Sequence, residues 1–140
     1  MFELTKSRKE MIAQWVRFKP MRLMMGLAIR IIVAKHRMGV GLVGFDDQRR
    51  ILMLRHVFHP VAPWGLPGGW LGKHEDPAVC ALRELKEETG LTATLGPIVH
   101  ITRERTPPHI VVFFLAQIQP GPMRFSSEVI EAGWFSADSL

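Results

Sequence analysis

The stretch Gly69 to Leu91, GWLGKHEDPAVCALRELKEETGL, constrains this chain more than any other. It reads as a glycine turn, a short polar loop and one helix with an acidic edge. Asp76 is a good N-cap, and Pro77 suits the first helical position, where its missing N–H leaves nothing unpaired. Gly90 supplies the residue that turns left-handed past the last turn, so the helix is predicted over Pro77 to Thr89. At about 100° per residue, Ala78, Leu82 and Leu85 fall on one stripe that should face the core. Glu84, Glu87 and Glu88 stand at i, i+3 and i+4 on a neighbouring face. Carboxylates about 5–6 Å apart repel by roughly 3 kcal/mol at an effective dielectric near ~20. Such a cluster is either a solvated face relieved by Arg83 and Lys86 or a cation site. Hard divalent ions take carboxylate oxygens, water and phosphate as ligands.

The spacing favours the cation. Gly69, five residues, Glu75, seven residues and then Arg83-Glu84-Leu85-Lys86-Glu87-Glu88-Thr89-Gly90-Leu91 resembles the complete signature of the Nudix hydrolases, with no mismatch. A chance match is expected on the order of once in ten million at average composition. Trp-x-Leu-Pro-Gly-Gly at 64–69 resembles the usual run-in to that signature. The resemblance covers residues 38–140. It implies an α/β/α sandwich around a mixed β-sheet. It further implies hydrolysis of a pyrophosphate bond in a nucleoside diphosphate linked to another moiety, with Mg²⁺ or Mn²⁺ as cofactor. Carried over by position, Glu84, Glu87 and Glu88 resemble the metal ligands, helped by the backbone carbonyl of Gly68. Arg83 resembles the arginine that orients these carboxylates, and Glu75 the loop glutamate that braces the site beside Gly69.

Attack of water on a diphosphate also needs a base. Glu84 is one candidate. The other class is an acid from the last strand, Glu128 or Glu131, with Glu131 favoured because it stands three residues before Trp134. Arg55 ends a strand aimed at the signature and is read as a phosphate contact or a surface salt bridge. Trp64, Trp70 and Phe58 could stack a base or plug their loop onto the core. Pro107, sixteen residues past Leu91, resembles the mark of ADP-ribose-cleaving members, and Pro107-Pro108 equally suits a turn. Nucleoside triphosphates stay open as substrates. A non-catalytic binding module would be expected to lack glutamates that this chain keeps.

The rest of the chain sorts by charge. The net charge is +5, yet residues 1–37 carry nine Lys/Arg against Glu3 and Glu10, a balance of +7, and residues 38–140 balance at −2. The basicity belongs to an N-terminal arm and not to the body with the acidic helix, which counts against the long RNA track expected of a third alternative, an RNA-end pyrophosphohydrolase. Residues 3–18, with Met11, Ile12, Trp15 and Phe18 near one side, read as an amphipathic helix stopped by Pro20. Leu23 to Ala34 is apolar but too short to span a bilayer and contains Arg30. A signal peptide fits poorly, since a long mixed segment precedes the apolar run. The arm packs on the domain or on a second subunit, as in a homodimer, or lies on an anionic membrane surface.

Cys80 is the single cysteine, so no intrachain disulfide forms, and a reducing, cytoplasmic setting is expected. Gly39-x-Gly41-x-x-Gly44 spells a dinucleotide fingerprint, but the acidic turn and strand that follow do not supply its helix. Those glycines instead let a strand pass close to neighbouring backbone. Strands are predicted over Met38–Phe45, Arg50–Val57, Ile98–Arg105 and His109–Gln117, the last apolar enough to be covered on both faces. Phe58 to Gly69 reads as loop. With no second ligand pair, His56 and His59 do not make a structural zinc site. Ser136 would cap a closing helix, which the sequence ending at Leu140 leaves absent or truncated.

Overall fold

The computed structural model describes residues 10–11, 14–15, 18–32, 36–58 and 62–139. The chain separates into residues 1–35 and 36–140. In the first unit, helix α1 spans Lys19–Ile32. Pro20 follows a bend at Phe18 and sits in the first turn of α1, where proline lacks no needed hydrogen bond. The expected helix over 3–18 lies largely outside the described residues; Glu10, Met11, Gln14 and Trp15 are helical. No described helix is long and apolar enough to cross a membrane.

The second unit is a mixed α/β fold. Its elements are β1 (Arg37–Phe45), β2 (Ile51–His56), β3 (Trp64–Gly65), β4 (Gly68–Trp70), α2 (Pro77–Thr89), β5 (Ala93–Arg105), β6 (Pro108–Ile118) and β7 (Val129–Phe135). One 3-10 turn at Ala137–Ser139 follows. The sheet runs β3-β2-β1-β6-β5, with β4 also pairing β1 and β7 also pairing β2. Asp46 makes the first turn: its Oδ1 accepts from the backbone N–H of Gln48 at 2.9 Å and of Arg50 at 2.8 Å. Beyond the turn the two hairpin strands part, for their register holds only Phe45 opposite Ile51. β1 then takes β4 on one side and a parallel β6 on the other, while β2 takes β3 and β7. Two short strands therefore lie inside the stretch expected to be loop.

Helix α2 is capped as expected. Asp76 is extended (φ −75°, ψ 135°) and accepts from the Ala78 N–H at 2.8 Å, and Gly90 is left-handed at φ 74°. Its fully buried face, however, is Cys80, Ala81, Leu85, Glu88 and Thr89, with Ala78 and Leu82 only half-buried. The expected stripe is rotated because a glutamate belongs to the buried face. This face packs with Val40, Leu42, Leu52, Leu54, Val112 and Phe114 in one core. On β6 the side facing α2 is sealed from Val112 to Ile118; on the other side Val111 is buried but Phe113 and Leu115 are half-buried. The strand is less covered than its composition suggested. A side chain at Gly41 would strike the Phe113 ring, and one at Gly44 would strike Ile118. Gly41 and Gly44 make room for side chains of β6, while β1 and β4 run close at Gly39, where a Cβ would stand 3.4 Å from Gly69 O, and at Gly68, where one would stand 3.0 Å from Gly41 Cα.

Candidate active site

The acidic helix and the glycine strand build one cleft of about 490 Å³. Glu84, Glu87 and Glu88 of α2 line it with His56, Gly68, Gly69, Trp70 and the segment Ser126 to Glu128. Two local rules bring these parts together. In an extended strand, a residue's N–H and C=O share one edge, and alternate residues face opposite edges. The partners on β1 are Pro67 O to the Leu42 N–H and the Leu71 N–H to Met38 O. Gly68 and Trp70 therefore turn their backbone groups away from β1, toward α2. There the Gly68 N–H donates to Glu88 Oε2 at 3.0 Å, and Trp70 O accepts from Arg83 Nη2 at 3.4 Å. The Gly68 carbonyl, expected as an extra ligand, lies on this same edge.

The second rule is that the last carbonyls of a helix need outside donors. Gly90 serves Lys86 O at 2.8 Å, Arg124 N–H serves Thr89 O at 2.8 Å, and Ser126 N–H serves Glu88 O at 3.2 Å. Docking 124–126 onto the end of α2 delivers Glu128 to the cleft.

Arg83 organises the acids. Its Nε and Nη2 fork onto Glu75 Oε1 and Oε2 at 2.8 and 3.1 Å, and Nη1 reaches Glu84 Oε1 at 2.8 Å and Glu87 Oε2 at 3.0 Å. Glu75 also accepts from the Gly72 N–H at 2.8 Å. The Arg83 hydrogen bonds, then that of Gly72, bring the Glu75 carboxyl down to about 2. Arg83 itself is pushed further up by the same contact. Burial moves Glu84 and Glu88 the opposite way. Glu84 is raised despite Arg83, and Glu88 is raised to about 7, first by desolvation and then by the charges of Glu84, Glu128 and Glu87. His56 Nδ1 stands 3.7 Å from Glu88 Oε1. Cys80, buried beneath the loop, has its thiol raised to about 11 by desolvation and acts as packing. Lysine cannot reproduce the guanidinium fork, so Arg83→Lys is expected to lower turnover by roughly 10–100-fold with little loss of fold. Steady-state kinetics alongside thermal unfolding checks this.

At three residues the structure gives contacts that fit one of the two readings the sequence left open. Arg55 is no free cation at the cleft: register places it opposite Glu131, and Nη1 pairs with Glu131 Oε1 at 2.8 Å on the surface. Glu131 is thereby held on the outside of the β2–β7 pair, and Glu128 is the acid that lines the cleft. Trp64 stacks edge-on against Phe135 (centroids 5.2 Å, 75°), as a residue pinning β3 onto the sheet. Trp70 is the tryptophan at the cleft, its ring 4.6 Å from that of His109. The reading of residues missed His56 beside Glu88, and His59 falls outside the described residues.

No three His, Cys, Asp or Glu side chains among the described residues stand close enough to hold an ion as they are placed. The donor set still suits a hard divalent cation. It consists of carboxylates sharing a cleft with a backbone carbonyl edge, and Glu88 is nearly buried there at 7% exposure among like charges. Glu84, Glu87, Glu88 and Gly68 are the residues that would hold it.

A mixed sheet with an acid-lined cleft at one helix leaves a site whose carboxylates suit a hard divalent cation. The chain belongs to the Nudix family, whose NUDIX domain model matches residues 35–140. It is 36% identical over 102 residues to the CMP-5'-(N-acetyl-N-hydroxy-3-aminopropyl)phosphonate hydrolase of Streptomyces rubellomurinus, covering 66% of this chain and 48% of that one. To the ADP-ribose pyrophosphatase of Bacillus subtilis it is 36% identical over 98 residues, covering 66% and 52%. The chain thus spans about half the length of these curated relatives. The crystal structure of an ADP-ribose pyrophosphatase from Streptococcus suis superposes with TM-score 0.65 at 27% identity, covering 76% of this chain and 78% of that one.

Proposed function

We propose that this chain hydrolyses a pyrophosphate bond in a nucleoside diphosphate linked to another moiety, or in a nucleoside triphosphate, with Mg²⁺ or Mn²⁺. The observation that carries this reading is the buried Glu88, raised to about 7 in a cleft that also holds Glu84, Glu87 and Glu128. Concentrated negative charge in a hollow serves a substrate that arrives as an anion only when a cation accompanies it. The ion, when bound, would neutralise charge on the phosphate oxygens and template the attack. Arg83 holds Glu84 and Glu87 in place, and Glu75 anchors Arg83. Gly68 presents its backbone to the same space. In this reading Glu128, which lines the cleft, takes the proton of a water as its oxygen bonds to phosphorus and the bridging P–O bond breaks. The named activities of the two curated relatives, on a CMP conjugate and on ADP-ribose, support a small nucleotide conjugate as substrate.

The test is phosphate release, after coupling to a phosphatase, from a panel of NDP-X and NTP compounds with Mg²⁺, Mn²⁺ or chelator. Turnover that needs the ion is expected. Nucleotide binding without turnover of any compound would leave a binding module. The two C-terminal acids give a sharper comparison. Glu128→Gln is expected to lower kcat by roughly 100-fold or more, within the range of general base catalysis. Glu131→Gln, which removes an exposed pair, is expected to stay within about twofold in rate and about 1 kcal/mol in stability.

A further inference from the structure

Helix α1 segregates its residues more sharply than a packing helix needs to. At about 100° per residue, Lys19, Arg22, Gly26 and Arg30 fall within an arc of about 80°. The other ten residues of Lys19–Ile32 are Pro, Ala, Met, Leu or Ile, and the helix contains no acid. None of its residues is buried. We propose that α1 lies in the surface of an anionic lipid bilayer, its cation stripe toward the headgroups and its apolar face in the acyl boundary.

Three observations choose lipid over a protein partner. A helix docking on one neighbour or in one groove presents an apolar stripe a little over ~100° wide. Here the apolar arc is more than twice that, which a bilayer can cover and a single partner surface cannot. Charge is complementary: residues 1–37 balance at +7, so α1 sits among further cations that an anionic leaflet attracts. Length settles how the helix lies. Fourteen residues make a rod of about 21 Å, short of the roughly 30 Å hydrocarbon core, so it rests in the surface and does not span. The acidic body, at −2, gains nothing from such a surface, and the arm would supply the whole attraction.

The test is flotation of the full chain with vesicles of phosphatidylcholine alone or mixed with phosphatidylglycerol, at low and high salt, beside light scattering without lipid. Flotation with the mixed vesicles, weakened by salt and absent or much weaker with phosphatidylcholine, is expected. Each cation near an anionic surface is worth roughly fivefold in partitioning. Arg22→Gln with Arg30→Gln should therefore weaken binding on the order of 25-fold, while Leu27→Asp with Ile31→Asp abolishes it. Circular dichroism confirms that the second unit stays folded in both. A full chain that does not float with the anionic vesicles overturns the proposal. So does a dimer without lipid that Leu27→Asp with Ile31→Asp turns into monomer while vesicle binding is absent, which would make a second copy the occupant.

Discussion

Glu88→Gln is expected to lower turnover with Mg²⁺ by roughly 100-fold or more, the scale set by losing a group that stabilises transition-state charge. The same substitution is expected to stabilise the protein in chelator above neutral pH. Both effects come from one carboxylate. An unfolded glutamate titrates near 4.5, whereas folding raises Glu88 to about 7 through burial beside Glu84, Glu128 and Glu87. Between those values the folded state keeps a proton that the unfolded state has lost. The associated stability is fully present below about 4.5 and is lost as pH rises through about 7. A shift of this size corresponds to about 3 kcal/mol, since each pKa unit is about 1.4 kcal/mol.

In chelator, the unfolding temperature of the parent should therefore fall from pH 5 to pH 8, numbers chosen to bracket the roughly neutral titration. The Gln variant should show a flatter curve, because Gln has no charge to desolvate and its carbonyl can still accept from the Gly68 N–H. Glu84, raised by burial, adds a change of the same sign. Glu75 does not confuse the window. Its lowered carboxyl contributes stability above about 4.5 that is lost only as pH falls toward about 2. His56 faces Glu88, so the difference between the two curves reports on the Glu88 carboxylate together with its pairing to His56. Unchanged turnover in the variant would remove Glu88 from the site. Parallel pH curves would show that its burial carries no such strain.

What could be read from residues alone follows how local each determinant is. The ends of α2 were legible because Asp76, Pro77 and Gly90 act within one turn of chain. The acid cluster and its arginine were legible for the same reason, being spaced along one helix. β5 was expected to begin at Ile98. It starts at Ala93, and the pairing with β6 skips between Leu95 and Ile98, so an edge strand absorbs Pro97 as an irregularity. The choice between Glu128 and Glu131 was not legible at all. It rests on carbonyls at the end of α2 capturing 124–126 and on a register shift between Arg55 and His56 against β7. For Arg55 and Trp64 the choice between two readings was not legible either, since cross-strand partners more than seventy residues away in sequence, Glu131 and Phe135, decide where they point.

The adjacent glycines of the run-in should fail in two different ways. A Cβ at Gly68 would overlap the Val40 carbonyl oxygen and stand 3.0 Å from Gly41 Cα, so its obstacles are backbone atoms of β1. Backbone in a paired strand cannot step aside without breaking the β1–β4 register. Gly68→Ala is therefore expected to lose roughly 3 kcal/mol, at the upper end of ordinary overpacking, as read by urea unfolding. A Cβ at Gly69 would meet the Glu84 carboxylate instead, the far end of a flexible side chain. That end can swing away, but only by leaving the place where Arg83 holds it at 2.8 Å. Gly69→Ala should thus keep its fold within about 1 kcal/mol, since the side chain repacks outward. Its turnover should fall by roughly 100-fold, the penalty for a misplacement of about 1 Å in a reacting geometry. The reverse outcome, a folded and active Gly69→Ala beside a stable Gly68→Ala, would mean that β4 does not lie between β1 and the acidic helix as described. The strand's tight seating is what lets its backbone share a cleft with four glutamates, so both the fold and the chemistry are exposed to that one pair of substitutions.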